Sequence, residues 1–125
     1  MKTNYSLRYA SHPVDAKNYD TQRLRKEFLI DTLFVNDEVN MVYSMYDRMI
    51  VGGVMPKAET LRLEAIDPLK ATYFTTRREI GVFNVGEGEG VVKVGEESFT
   101  LGFKEALYIG SGDRDVLFES KDPQH

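Results

Sequence analysis

Apolar and polar residues alternate in short segments along most of the chain, which is the pattern of half-buried β-strands. Glycine, proline, asparagine and aspartate separate these segments and mark turns. Strands are predicted at residues 29–34, 40–46, 48–54, 59–65, 79–85, 91–94, 98–101, 106–109 and 116–119. Many short strands without helices between them predict an all-β sandwich or barrel.

A single short helix is predicted before these strands. Asp20 can cap a helix through residues 21–28, and Leu24 and Phe28 lie one turn apart, on the side that we expect to be buried. Residues 1–19 are polar and irregular, and we expect them to drape over the surface or to reach a neighbouring subunit. The chain thus divides into an amino-terminal arm, residues 1–19, and a β domain, residues 20–125.

The glycine-rich stretch at residues 86–90 raises the question of a phosphate-binding loop. Such a loop needs a helix after it, whereas here the strand-like run of Val91, Val92 and Val94 follows. Glu87 and Glu89 would also repel a phosphate. We therefore predict a hairpin turn at residues 86–90.

Composition narrows the classes of function. The 125 residues, 42% of them hydrophobic, suffice for one domain. A net charge of -4 argues against a nucleic-acid partner, and the absence of cysteine excludes disulfides and thiolate metal sites. The sequence shows neither a signal-peptide pattern nor a membrane-spanning stretch, so we expect no membrane partner and a cytoplasmic location.

The spacing of the last sixty or so residues is similar to that of the cupins, small jelly-roll barrels with two motifs. The first motif, G-x5-H-x-H-x3,4-E-x6-G, and the second, G-x5-P-x-G-x2-H-x3-N, hold one metal through three histidines and a glutamate. Glu79 and Gly86 keep the E-x6-G spacing, and Gly112 and Asp115 keep G-x2-H. The motif histidines and the proline are all replaced. Tyr73 and Thr75, or Thr72 and Phe74, stand at the first two histidine positions, Asp115 stands at the third, and Gly110 stands at the proline position.

The histidine count argues against a metal inside this chain. Its two histidines are His12, in the arm, and His125, the last residue, and we expect both to be exposed. Zinc, iron or manganese needs three or four convergent ligands, which Glu79 and Asp115 alone do not supply. We predict no metal and no other cofactor within these residues.

Four longer segments carry a more specific resemblance: "DTQRLRKEFLIDTLFV", "MVYSMYDRMIVGGVMP", "YFTTRREIGVFNVG" and "KEALYIGSGDRDVLFES". In this order they resemble the amino-terminal half of the 4-deoxy-L-threo-5-hexosulose-uronate ketol-isomerases, also called 5-keto-4-deoxyuronate isomerases. The resemblance runs from about Asp20 to Ser120. The 5-deoxyglucuronate isomerases, of similar architecture, are the nearest alternative family.

The resemblance implies a bicupin of two jelly-roll domains, of which this chain is one. It implies an aldose–ketose isomerase that acts on uronates released from pectin or similar glycans, with zinc in the carboxyl-terminal domain and a homo-oligomer, expected to be a hexamer. Moving the carbonyl through an enediol needs a base for the proton and an electrophile for the oxyanion. Because that zinc site would lie outside this chain, we expect these residues alone to be structural and inactive.

The "RRE" run of Arg77, Arg78 and Glu79 is the candidate substrate-binding set. Strand alternation would place Arg77 and Glu79 on one face and Arg78 on the other. If that face is interior, Arg77 needs a carboxylate partner, which Glu79 or Asp115 could be, or a substrate carboxylate. The internal pair or a subunit contact is the favoured interpretation.

Asp47 and Arg48 admit the same alternatives, with a subunit interface favoured. The nearby tyrosines and methionines are expected in the core or an interface rather than a cofactor pocket: Met41, Tyr43, Met45, Tyr46 and Met49.

Two hypotheses remain. The chain is either the non-catalytic half of a longer isomerase, which the chain's end directly after a strand favours, or a stand-alone cupin-like module in which Arg77 and the barrel mouth hold an acidic sugar.

Overall fold

The structure, a computed structural model, describes residues 2–124, and most of its regular structure is β-sheet. The strands within these residues are β1 Lys2–Arg8, β2 Glu38–Ser44, β3 Ile50–Val54, β4 Leu61–Arg62, β5 Ile80–Phe83, β6 Gly90–Val94, β7 Glu97–Leu101, β8 Ala106–Ile109 and β9 Val116–Ser120. The helices are α1 Pro13–Ala16, α2 Thr21–Phe28 and a 3-10 helix at Asp67–Leu69. The predicted all-β class is confirmed at this level.

The strands form three sheets, in the orders β1-β2-β3, β4-β9-β6-β7 and β5-β8. β1 runs parallel to β2, and the other pairs of named strands are antiparallel. Side chains from all three sheets meet in one hydrophobic core, in which Val39, Leu61 and Val116 are at most 1% exposed. Each such side chain contributes roughly 1.5–3 kcal/mol through burial.

The methionine and tyrosine set divides at the end of β2. Met41 and Tyr43 lie in the core and Met45 packs against it, as expected. Tyr46 and Met49 follow in the β2–β3 turn and are 45% and 63% exposed. None of the helices in the described part of the chain is long and apolar enough to span a membrane.

Helix α2 begins and ends where the sequence predicted. The Asp20 carboxylate accepts the backbone N–H of Arg23 at 2.8 Å, which caps the helix. The predicted buried side is wrong, however, because Leu24 and Phe28 are 41% and 49% exposed. The apolar face of the helix is therefore largely open to solvent.

The arm is more regular than predicted. Residues 2–8 form β1, in register with β2 from Lys2 opposite Glu38 to Arg8 opposite Ser44. His12 is exposed, as predicted, and its Nδ1 accepts the N–H of Val14 at 3.1 Å at the start of α1. His125 lies outside the described residues.

The strand predicted at residues 29–34 is wrong. This segment crosses the first sheet without joining it, and its contacts converge on Leu33. Asn40 donates from Nδ2 to the Leu33 carbonyl at 3.1 Å, and a Cβ on Gly53 would lie 2.6 Å from the Leu33 Cβ. Asn40 and Gly53 are themselves paired across β2 and β3. The absent side chain of Gly53 is therefore what allows the close approach.

No helix begins at the glycine-rich stretch, which excludes the phosphate-loop interpretation. Its geometry still differs from a hairpin, because β5 pairs with β8 whereas the following β6 pairs with β7 and β9. Residues 86–90 therefore carry the chain from one sheet to another. The true hairpin turn of this region contains Gly95, at φ +59°, between β6 and β7.

Candidate functional site

The three residues of the "RRE" run point to three different places. Arg77 is exposed, and its Nη2 donates to the carbonyls of Leu69 and Lys70 at 3.0 and 2.6 Å. These carbonyls end the 3-10 helix, where a cation is favourable. Arg77 is thus not a buried cation. The partners that the structure gives it are carbonyl oxygens rather than the carboxylates of Glu79 or Asp115.

Arg78 is half-buried and braces the turn between β2 and β3. Its Nη1 donates to the Arg48 carbonyl at 2.9 Å, and its Nη2 donates to the Tyr43 hydroxyl at 2.8 Å. The guanidinium also lies 4.9 Å from the centre of the Tyr43 ring, within the range of a cation–π contact. These three contacts hold the guanidinium of Arg78 in one orientation.

Asp47 and Arg48, the predicted interface residues, form the exposed tip of this turn. Their φ angles are +55° and +52°, and the Met49 N–H donates to the Tyr46 carbonyl at 3.3 Å. Positive φ at both central positions is the geometry of a type I′ turn, for which Asn-Gly is the usual sequence. Both side chains therefore project from the end of the hairpin, where an interface role stays a prediction.

The two acidic positions of the cupin-like motifs serve separate contacts on the surface. Glu79 is exposed, and its hydrogen bond with the Tyr108 hydroxyl raises the pKa of Tyr108. Asp115 accepts from Nε and Nη2 of Arg62, both at 2.9 Å. Across residues 2–124, no three His, Asp or Glu side chains converge in a way that could hold a metal ion. These motif positions do not fit a zinc ion.

The degenerate motif positions do meet, through hydroxyl and backbone groups. Thr75, at one histidine position, is 0% exposed, and its hydroxyl donates to the Gly112 carbonyl at 2.6 Å. The Gly112 N–H returns a bond to the Thr75 carbonyl at 2.7 Å, and the Thr76 hydroxyl donates to Asp113 at 2.8 Å. The two regions that resemble the cupin motifs are thus joined by internal hydrogen bonds.

An apolar cavity, here called the mouth cavity, has a volume of about 370 Å³. Its lining is mainly apolar, and the charged residues in it are mostly acidic. The lining includes Val82, Leu101, Phe118, Glu89, Glu119 and Asp122. Hydrogen bonds from Lys93, at 2.9 Å, and Thr60, at 3.1 Å, lower the pKa of Glu119. That carboxylate is consequently a weak base.

Asn84 lines the mouth cavity and stabilises the loop there through side-chain hydrogen bonds. It was not among the residues predicted from the sequence. Its Nδ2 donates to the carbonyls of Gly88 and Leu101, both at 2.9 Å, and its Oδ1 accepts from Gly86 at 2.9 Å. An asparagine before a glycine-rich stretch is a local turn signal, which could have revealed the Gly86 contact. The bond to Leu101 joins residues far apart in sequence and gave no local signal.

A second cavity, here called the arm cleft, lies between the end of the arm and α2 and has a volume of about 510 Å³. Its lining is mainly polar and includes Arg8, His12, Asp15, Tyr19, Lys26 and Glu27. Of these residues, the sequence drew attention only to His12, as one of the two histidines, and it did not predict the cleft. The cleft brings together side chains of separate elements that have no motif in common.

Comparison with known proteins gives a consistent result, although no protein-family model matches the chain. A protein of Bacteroides fragilis is 67% identical over 125 residues, which is 100% of this chain and 44% of that protein. A protein of Bacteroides thetaiotaomicron is 68% identical over 122 residues, 98% of this chain and 43% of that protein. A Formosa agariphila protein is 53% identical over 122 residues, again 98% and 43%.

These relatives are ketol-isomerases by name. Each carries the name 4-deoxy-L-threo-5-hexosulose-uronate ketol-isomerase, and the Bacteroides thetaiotaomicron protein is numbered 1. The resemblance inferred from the sequence is therefore confirmed over the whole chain. The chain spans less than half the length of these relatives, which is consistent with an amino-terminal half.

Proposed function

We propose that this chain is the amino-terminal, non-catalytic half of a 4-deoxy-L-threo-5-hexosulose-uronate ketol-isomerase. The identity of 67% over all 125 residues carries the proposal. The longer enzyme would convert 5-dehydro-4-deoxy-D-glucuronate into 3-deoxy-D-glycero-2,5-hexodiulosonate during the breakdown of pectin and related glycans. This half would be a cupin-like jelly roll within a homo-oligomer, with a hexamer as the expected form.

The chemistry of the described residues supports a scaffold role. Isomerisation through an enediol needs a poised base and an electrophile in one pocket. Thr75 and Asp115, which occupy metal-ligand positions of the cupin motifs, are engaged with Gly112 and Arg62 instead. In the proposed enzyme, the zinc ion and the base belong to the remaining length of the relatives.

The alternative of a stand-alone module that binds an acidic sugar at the barrel mouth has less support. That hypothesis depended on Arg77, which contacts the 3-10 helix and does not line the mouth cavity. The acidic residues that line this cavity would also repel a carboxylate.

A chimera tests the proposed function. This chain would replace the matching residues of the Bacteroides fragilis relative, and isomerisation of the uronate would be followed by NMR. We expect activity within a few fold of that relative from the chimera and none from the 125-residue chain alone. Turnover by the chain alone would overturn the scaffold role, and a folded but inactive chimera would overturn the assignment to the isomerase.

A further inference from the structure

The arm cleft concentrates positive charge on an acidic protein. Arg8, Arg23 and Lys26 line it together with Asp15 and Glu27, a local excess of one positive charge on a chain whose net charge is -4. A cleft of opposite sign to the whole molecule does not follow from composition. It favours an anionic ligand at that place.

Two of the three cations are available to a ligand. Arg23 already has partners, because its Nε lies 3.6 Å from Glu27 Oε1 and its guanidinium stacks 4.3 Å from the centre of the Tyr19 ring. The half-buried side chain of Arg8 and the exposed side chain of Lys26 have no hydrogen bond or ion pair to the rest of residues 2–124. A bound carboxylate could form charge-assisted hydrogen bonds with such an unpartnered guanidinium.

The remaining groups of the cleft suit a sugar. His12 accepts a backbone N–H through Nδ1, so its neutral ring carries the proton on Nε2 and can donate from there. The carboxylates of Asp15 and Glu27 can accept hydrogen bonds from the hydroxyl groups of a sugar. The exposed ring of Tyr9 offers a flat apolar face beside these polar groups.

The mouth cavity lacks this combination. Glu89, Glu119 and Asp122 line it together with one cation, Lys57. A carboxylate would meet like charges there, whereas in the arm cleft it would meet Arg8 and Lys26. The cleft is therefore the better match for an acidic sugar.

We propose that the arm cleft binds a uronate monosaccharide, with the sugar carboxylate held by Arg8 and Lys26 and its hydroxyl groups by Asp15 and Glu27. The uronate class rests on the proposed function, because it comes from the names of the relatives. The charge of the cleft independently favours an anion. The site would hold substrate or product on this half of the enzyme, apart from the reacting centre.

NMR titration of the isotope-labelled chain with D-glucuronate tests this site, with D-glucose and sodium acetate as controls at matched ionic strength. We expect saturable shifts confined to residues 7–27 with glucuronate, little change with glucose, and weaker binding of acetate. Arg8→Gln should weaken glucuronate binding about tenfold, as expected for loss of one charge-assisted hydrogen bond. Lys26→Gln should weaken it several fold.

Arg25→Gln is the matched control, since Arg25 lies on α2 but does not line the cleft. Its dissociation constant should stay within twofold of the wild-type value, and circular dichroism should show that all variants fold. Equal binding of glucose or acetate, shifts outside the cleft, or unchanged binding by both Arg8→Gln and Lys26→Gln would overturn the proposal.

This test separates the site from the proposed function because it measures no turnover. An active chimera whose arm cleft binds no glucuronate would refute the site alone. Glucuronate binding in the cleft together with an inactive chimera would refute only the isomerase assignment.

Discussion

Arg48 stands in a backbone conformation that suits glycine. Its φ of +52° costs a non-glycine residue about 1 kcal/mol or more, and the contact with Arg78 uses only its carbonyl. We expect Arg48→Gly to raise the free energy of unfolding by roughly 0.5–1 kcal/mol, after the entropy of the unfolded chain is counted. Thermal unfolding should show a midpoint about 3 °C higher.

Glu96→Gly is the control for this prediction, since Glu96 also occupies an exposed hairpin turn but is not among the positive-φ residues. It should lower the midpoint. A fall in stability for Arg48→Gly would mean that the Arg48 side chain has stabilising contacts that outweigh its backbone strain.

Asp37 links stability to pH through three backbone amides. Its Oδ1 accepts from Lys57, Ala58 and Glu59 at 2.8, 3.0 and 3.1 Å. These bonds, with that of Lys57 the largest cause, hold the pKa of Asp37 below its ordinary value. A lowered folded-state pKa gives stability that is present above the ordinary aspartate pKa, about 3.9, and is lost as the pH falls through the folded value.

We expect Asp37→Asn to be less stable than the wild-type chain at pH 6 and to differ from it less as the pH falls below 4. Urea midpoints at several pH values measure this convergence, and Asp31→Asn controls for the change in net charge. A gap that stays constant down to pH 2.5 would show that the carboxylate charge is irrelevant to the contact.

At the scale of elements, the packing of residues 29–34 over β3 predicts a sharp difference between two neighbouring glycines. A Cβ on Gly53 would lie 2.6 Å from the Cβ and 2.9 Å from the carbonyl oxygen of Leu33. A Cβ on Gly52 would meet the flexible Met41 side chain at 3.2 Å. We expect Gly53→Ala to cost about 1–3 kcal/mol in urea unfolding, and Gly52→Ala clearly less. Equal losses would contradict the close crossing.

The elements that the sequence predicts well are those with a local signal. Helix α2 has its capping Asp20, and β6 to β9 have alternation bounded by turn residues, so each lies within two residues of its predicted bounds. β1 was missed because "KTNYSLR" is polar and becomes a strand only by pairing with β2, more than thirty residues away. The segment 29–34 has the apolar residues of a strand, but its Leu33 carbonyl accepts from the Asn40 side chain instead of joining a ladder.

The same limit applies to the candidate sites. The sequence identified Arg77, Arg78 and Glu79 as chemically interesting, yet their partners are the 3-10 helix, the β2–β3 turn and Tyr108. Those contacts depend on tertiary packing, which strand alternation does not specify. The arm cleft likewise depends on how far α2 lies from the end of β1.

At the scale of the whole molecule, the chain exposes more surface than its mass requires. Its accessible surface is 8266 Å², against about 6,800 Å² expected for a compact monomer of 14.3 kDa. The excess exceeds the roughly 800 Å² that one partner contributes to a standard interface. Part of it is an apolar outer face on β5 and β8, where Phe83 and Tyr108 are 71% and 67% exposed.

We expect this face to pair with a second copy of the chain, in line with the proposed homo-oligomer. Sedimentation velocity over a hundredfold range of concentration should show self-association of the wild-type chain that Phe83→Ser weakens. Leu24→Ser, on α2, is the control for removing an exposed apolar side chain elsewhere. A strictly monomeric wild-type chain would contradict the expectation.

We expect β1, which pairs in parallel with β2, to open at a different rate from the strands of the core. β1 contributes no residue to the hydrophobic core, and the Thr3 hydroxyl is buried there without a hydrogen-bond partner among the described residues. Its amide protons should therefore exchange with deuterium through local detachment, at rates that low urea leaves unchanged. Those of β6 should exchange only through global unfolding and respond steeply to urea. The end of β1, which lines the arm cleft, would then detach and reattach. A ligand bound in the cleft would slow the hydrogen exchange of β1 and leave that of β6 governed by the core.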